Sequence, residues 1–222
     1  MAELKIDAVV FDVLGTLVDE PAGLRAGIRA LTPSPDAAGT ERLLLLWQRH
    51  IEREQRRVLD GDRPYVPGDL LDREAAGVGD PAAVEALARS ARRLPPWPDT
   101  VAGLARIAGR FPLIGLSNAS RTALLGLNAH AGLRWHQALS AEDARTYKPD
   151  PAVYRLAVTV AGVPPERLLM VAAHAWDLRG AQALGLRTAY VARPVGDPPT
   201  PSDRFDLYAE GLADLAGQLG VS

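Results

Sequence analysis

From residue 112 onward the chain repeats one pattern: a short apolar run, a polar turn, then a helical stretch. Pro112–Leu116 precedes a helix from about Ser120, and Gln137-Ala138-Leu139 precedes one from about Asp150. Leu168–Ala172 precedes a helix from about Asp177 that ends near Gly185. Thr188–Val191 reads as a further strand, and Phe205–Tyr208 as a last one before a helix ending near Leu219. At the front of the chain, Ile6–Phe11 is an apolar run of the kind that forms a strand buried on both faces. Strands alternating with helices leave few arrangements, because right-handed crossovers lay the strands parallel and the helices on both faces.

The predicted fold class is therefore α/β: a Rossmann-like parallel sheet with helices on both faces and an inserted helical cap. From about Asp19 to Pro96 the texture changes to helical patterns with no convincing strand. Leu43, Leu44, Trp47, Ile51 and Val58 fall near helical spacing among Arg and Glu, predicting an amphipathic helix that ends before Gly61. Asp62–Gly68 reads as a loop, Ala82–Leu94 as helix, and Pro95-Pro96-Trp97-Pro98 closes the block. The expected division is a core of residues 1–18 and 97–222 and a cap of residues 19–96. Ligands in such sheets bind beyond the carboxyl ends of the strands, so the cap is expected to lie above that rim.

A net charge of -2 without a basic run argues against nucleic acid or a membrane surface as partner. No apolar stretch approaches the roughly 20 residues of a membrane span. The first residues lack the basic-then-apolar layout of a signal peptide, so a cytoplasmic protein is expected. The chain has no cysteine, which removes disulfides, thiol catalysis and thiolate metal sites.

Four segments end predicted strands and converge on one rim. In Phe11-Asp12-Val13-Leu14-Gly15-Thr16, the carboxylate of Asp12 can act as a nucleophile that forms a covalent ester, or cap the turn that follows. Thr16 can hydrogen-bond Asp12 or a bound anion, or close the turn. Leu116-Ser117-Asn118-Ala119-Ser120 offers donors to an anion at a helix start, although Asn118 or Ser120 can also be an ordinary N-cap. In Tyr147-Lys148-Pro149-Asp150, Pro149 keeps Lys148 out of the helical region. Lys148 and Lys5 are the only lysines among 25 cationic residues. Tyr154 follows one turn into the next helix and can face core or pocket. Ala173-His174-Ala175-Trp176-Asp177 supplies Asp177, which can pair with Lys148, cap the helix or orient a water. His174 and Trp176 can line a pocket or simply pack.

Taken together and in order, FDVLGTLVD, LSNAS, YKPDPAVY and VAAHAWDL resemble the haloacid dehalogenase (HAD) superfamily, and within it the L-2-haloacid dehalogenase (type II) branch. The resemblance covers nearly the whole chain. Most members of the superfamily are magnesium-dependent phosphatases, with a second Asp two residues after the nucleophile and a carboxylate four residues before the position of Asp177. Here those positions are Leu14 and Ala173. Mg²⁺ needs oxygen ligands in near-octahedral array, and phosphoryl transfer needs its charge neutralised. The resemblance thus implies hydrolysis of short 2-haloacids without metal or other cofactor.

On that resemblance Asp12 attacks the carbon bearing the halogen, and water then cleaves the ester with help from Asp177 and His174. Ser117, Asn118 and Lys148 grip the substrate carboxylate, Tyr154 is a further substrate-binding candidate, Thr16 supports Asp12, and Leu14 and Trp176 form apolar walls. Two departures stand out. Related dehalogenases often have Asn where this chain has His174. They also place an Arg directly after a Trp of the cap to receive the halide, whereas here Trp47 is followed by Gln48 and then Arg49. Adjacent helical positions diverge by about 100°, so Gln48 and Arg49 are not expected to face the pocket equally. Two other functions are weighed beside this one: a phosphatase with atypical metal ligation, and a catalytically silent binding protein. Family members often dimerise, but no interface is legible in the sequence.

Overall fold

The computed structural model describes residues 4–31, 37–76 and 81–221. Six strands form one sheet: β1 (Ala8–Phe11), β2 (Leu113–Ser117), β3 (Gln137–Ser140), β4 (Leu168–Ala172), β5 (Arg187–Val191) and β6 (Leu207–Ala209). They lie in the order β3-β2-β1-β4-β5-β6, and every pairing is parallel. Val9 of β1 stands opposite Leu113 on one side and Leu169 on the other. The first strand is thus central, and chain order runs outward from it in both directions. That arrangement opens a crevice at the carboxyl ends of β1 and β4.

Because side chains alternate across a strand, β1 feeds two cores. Val9 and Phe11 pack with Leu104, Ile107, Leu124 and Leu212 on one face. Ala8 and Val10 pack with Tyr147, Val153 and Leu178 on the other. The helices that supply these layers are α5 (Thr100–Ala108), α6 (Arg121–Ala131), α7 (Pro151–Ala161), α8 (Ala175–Ala183) and α9 (Leu212–Gln218). Local chemistry sets their starts. The Ser120 side chain accepts from Ala123 N to open α6, and Asp150 accepts from Ala152 N to open α7, with Pro151 as the first helical residue.

Between β1 and α5 lie four helices: α1 (Glu20–Leu31), α2 (Ala37–Leu59), α3 (Gly68–Ala76) and α4 (Pro81–Ser90). They have a small core of their own, in which Leu24, Ile28, Leu44 and Trp47 are buried together. Leu43, expected on the same apolar face, is 42% exposed; the buried stripe runs through Leu44 and Trp47. The buried carboxylate of Glu54 ties α2 to the following loop by accepting from Arg53, Arg57 and Arg63.

The chain enters and leaves this helical block at one point. Val18 bridges antiparallel to Pro96, Asp19 N donates to Pro95 O at 2.8 Å, and Trp97 N donates to Leu17 O at 3.1 Å. The four residues 95–98 lie between α4 and α5, and α5 is a helix that the alternation of strand and helix in the sequence does not announce. Among the described residues no helix is long and apolar enough to cross a membrane. Residues 1–3, part of the segment inspected for a leader, lie outside the described residues.

Candidate active site

Asp12 follows β1 directly, and its backbone N donates to Val171 O at 2.9 Å, so the sheet fixes its position. The side chain is almost fully buried. Thr16 Oγ1 donates to its Oδ2 at 2.6 Å, and Lys148 Nζ donates to its Oδ1 at 2.7 Å. Thr16 Oγ1 also accepts from Ala173 N at 2.9 Å, which links the turn after β1 to the end of β4. The turn itself needs Gly15: its φ is +77°, and a Cβ there would lie 2.6 Å from His174 Nε2. Glycine therefore supplies both the left-handed backbone and the space for the imidazole.

Lys148 is buried and bridges two carboxylates, with Nζ 2.7 Å from Asp12 Oδ1 and 2.6 Å from Asp177 Oδ2. Its backbone N donates to Asn118 Oδ1 at 2.9 Å. The other oxygen of Asp177 accepts from Tyr154 OH at 2.7 Å. Burial pulls the Lys148 ammonium toward neutrality, but Asp12 and Asp177 more than offset this and hold its pKa above the ordinary lysine value. Burial, reinforced by Asp177, pushes the Tyr154 phenol far up, so it stays a donor. Burial also raises the Asp177 carboxyl, against the pull of Lys148.

Asp12, Leu14, Gln48, Arg49, Asn118, Lys148, His174 and Trp176 all line one cleft of about 1020 Å³ between the helical block and the sheet rim. The contrast expected between Gln48 and Arg49 appears as depth: Gln48 is half-buried and Arg49 exposed, yet both reach the cleft. Four expected residues lie beneath its floor. Thr16 supports Asp12. Ser117 is fully buried and its Oγ accepts from Ala119 N at 3.1 Å. Tyr154, left open between core and pocket, belongs to the core behind Asp177. Asp177 is fully buried and its side chain caps no helix, because Asp197 does so from a distant loop. Asp197 O accepts from Ala175 N at 2.8 Å and its Oδ2 accepts from Trp176 N at 3.0 Å.

His174 Nε2 lies 3.1 Å from Leu14 O. A carbonyl only accepts, so the ring carries its proton at Nε2, and in the neutral form Nδ1 keeps a lone pair. Chemically the assembly offers a buried carboxylate held by a cation, a neighbouring imidazole, and apolar walls that limit water. Such a carboxylate can displace a leaving group from carbon and release the product by hydrolysis.

Residues that sequence reasoning missed also belong here. Glu20 and Asp72 line the cleft. Burial raises Glu20 to about 6, with His174 pulling it down and Asp12 and Glu52 raising it further. Burial raises Asp72 to about 8, helped by Glu20 and Asp69 and opposed by a hydrogen bond from Trp47. Behind the turn that follows β1, Arg193 Nε donates to Thr16 O at 2.8 Å, Trp97 Nε1 to Gly15 O at 2.9 Å and Thr100 Oγ1 to Leu17 O at 2.7 Å. Arg193 also pairs with Asp99 at 2.8 Å, and its guanidinium lies 5.8 Å from the centre of the Trp97 ring. Only the position of Glu20, just after the nucleophile motif, was a signal.

The sequence profile of haloacid dehalogenase-like hydrolases matches residues 6–185. An (S)-2-haloacid dehalogenase of Pseudomonas putida, H-109, is 30% identical over 200 residues, covering 85% of this chain and 86% of that protein. The crystal structure of a defluorinating L-2-haloacid dehalogenase, Rha0230, superposes with a TM-score of 0.87 at 32% identity, covering 97% of this chain and 96% of that one. The L-2-haloacid dehalogenase of Xanthobacter autotrophicus with chloropropionic acid covalently bound superposes at 0.85 and 26% identity, covering 97% and 98%. The chain belongs to the haloacid dehalogenase superfamily, in its L-2-haloacid dehalogenase branch. Its reaction class follows: it is a hydrolase acting on carbon–halide bonds.

Proposed function

We propose that this enzyme converts short 2-haloalkanoic acids, haloacetates and 2-halopropionates, to 2-hydroxy acids through an ester on Asp12, without a metal. The observation that carries this reading is the Asp12–Lys148–Asp177 chain of bonds, at 2.7 and 2.6 Å. A divalent cation needs several oxygen ligands. Here an ammonium already stands between the two carboxylates, and positions 14 and 173 are Leu and Ala. This donor set does not fit Mg²⁺, so no step of the reaction is routed through one.

Asp12 attacks the carbon bearing the halogen, a carbon–oxygen bond forms, and the halide leaves with its electron pair. Lys148 and Asn118 hold the substrate carboxylate. The Asn118 amide has only a loose contact, 3.5 Å to Gln55 Oε1, and can turn to an incoming anion. Exposed Arg49 at the cleft draws anions inward. Water then attacks the ester carbonyl, with His174 Nδ1 accepting its proton, and Asp12 is regenerated. Asp177, sealed under the floor by Lys148 and Tyr154, is a positioning residue that holds Lys148 in place. The helical block, residues 19–96, serves as the cap that closes over the substrate. The name of the P. putida relative and the covalent adduct named for the Xanthobacter structure support this reading.

The test is halide release from EDTA-treated enzyme across fluoro-, chloro- and bromo-acids of two and three carbons, with Asp12→Asn as control. Release that survives chelation and disappears in the variant is expected. In heavy-oxygen water, single turnover is expected to put the label into Asp12 before product. No halide from any acid of the panel overturns the reading, as does magnesium-dependent phosphate release from p-nitrophenyl phosphate alone.

A further inference from the structure

Resting on the dehalogenase reading above, we propose that Glu20, in its protonated form, donates a hydrogen bond to the departing halide and sets which halogens leave readily. A leaving halide needs a donor, and fluoride, small and strongly solvated, needs one most. Lys148 and Asn118 are taken by the substrate carboxylate. Of the other lining donors, Gln48 and Gln55 are neutral amides, Arg49, Arg53 and Arg56 are exposed, and the Nε2 proton of His174 is committed to Leu14 O at 3.1 Å. The backbone N–H of Trp176 is likewise committed, to Asp197 at 3.0 Å, leaving its indole as a neutral donor.

Glu20 opens α1 one residue beyond the end of the motif that carries Asp12, and it lines the same cleft as Asp12 and His174. Among the described residues that carboxyl has no hydrogen-bond or ion-pair partner. The titratable groups facing it are Asp12 from the turn after β1, His174 before α8, Glu52 on α2 and Asp72 on α3. Three of these four are acids. Together with burial, which lifts Glu20 to about 6, they keep the acid form populated up to about that pH, against the pull of His174. A carboxylate there would repel a halide, whereas a carboxylic acid donates to it.

The balance is simple. Asp12 forms the carbon–oxygen bond, the carbon–halogen bond breaks, and the electron pair leaves on the halide. The O–H bond of Glu20 stays intact, because hydrogen fluoride is a stronger acid than a buried carboxylic acid. The halide departs as the ion.

The experiment measures kcat for halide release from fluoro-, chloro- and bromoacetate by the full-length wild type, Glu20→Gln and Glu20→Ala, from pH 5 to 8.5. Hydrogen bonds to charged groups lead us to expect that Glu20→Ala lowers fluoride release about tenfold to a hundredfold more than bromide release, with chloride between. Glu20→Gln keeps a donor and is expected to hold the wild-type order of halogens. In the wild type the fluoride-to-bromide ratio is expected to fall as pH rises above about 6, while in Glu20→Gln it stays flat. An equal loss for all three halogens in Glu20→Ala means a structural role and overturns the proposal, as does a pH-independent wild-type ratio. Should Glu20→Ala fail to fold, the Glu20→Gln order and the wild-type pH profile still decide. A wild type that releases no halide overturns the dehalogenase reading itself, which is a different result.

Discussion

Replacing Lys148 by Met tests the charge arrangement at the heart of the site. In the wild type one ammonium satisfies two buried carboxylates, at 2.7 and 2.6 Å. Methionine fills similar volume without charge and leaves Asp12 and Asp177 facing each other. Breaking a buried pair by removing one partner costs about 3–5 kcal/mol. For a chain of this length that corresponds to a fall in Tm of about 6–20 °C. The sign with pH is also fixed. Two unpaired carboxylates keep one proton between them, so the folded-state pKa of the pair rises above the unfolded value. The folded variant then binds more protons than the unfolded chain, and its stability falls as pH rises. In the wild type the raised Lys148 pKa contributes stability that is lost only in the alkaline range, above the ordinary lysine value. Thermal unfolding followed by circular dichroism from pH 5 to 8 reads both effects. Lys148→Met is expected to melt lower than the wild type throughout and to lose more as pH rises, and Lys148→Met/Asp177→Asn to recover part of the loss. A Tm equal to that of the wild type, or a variant more stable at pH 8 than at pH 5, refutes the reasoning.

Two further outcomes follow from the same geometry. Tyr154→Phe removes the donor to Asp177 Oδ1 and leaves a buried acceptor unpaired, so stability is expected to drop by about 1–3 kcal/mol, seen as a lower urea midpoint at unchanged m; an unchanged midpoint contradicts it. Gly15→Ala places a Cβ 2.6 Å from His174 Nε2 on a backbone with φ of +77°, at a strain of about 1–3 kcal/mol. It is expected to lower Tm and kcat together and to shift the His174 imidazole resonance, and wild-type values of all three refute the close packing.

The strands and the rim were legible because their signal is local. Apolar runs of four to five residues end in Asp12, Ser117 and Ala172, and a parallel sheet leaves their carboxyl ends together. That logic places Asp12 and His174 at the rim, whereas Lys148 lies eight residues beyond the end of β3 and reaches the rim through the intervening turn. Depth below the rim was not legible. Ser117, Tyr154 and Asp177 have side chains suited to a ligand, yet Ser117 is fully buried at the end of β2, and the packing of α7 against α8 turns Tyr154 and Asp177 inward. Arg193 was invisible because its partner, Thr16, lies 177 residues away, with no periodicity to connect them. Glu20 read as an ordinary acid in the first turn of a helix, which it also is. The helix α5 was hidden by the four residues Pro95-Pro96-Trp97-Pro98, whose breaking character masked the start that follows them.

The single crossing point at Val18 and Pro96 makes the helical block a closed excursion from the core. Its two ends meet as the ends of a hairpin do, so the length of the excursion is nearly free in loop-closure entropy, each doubling costing only about 0.6 kcal/mol. Nothing in the sheet has to move when that excursion grows, shrinks or is exchanged. The carbonyls of Gly15, Thr16 and Leu17 are clamped by Trp97, Arg193 and Thr100 on the core side of the crossing. Evolution can therefore rewrite the helical block that faces the cleft while the carboxylate of Asp12 stays where it is, so that the two sides of the cleft become separately inheritable.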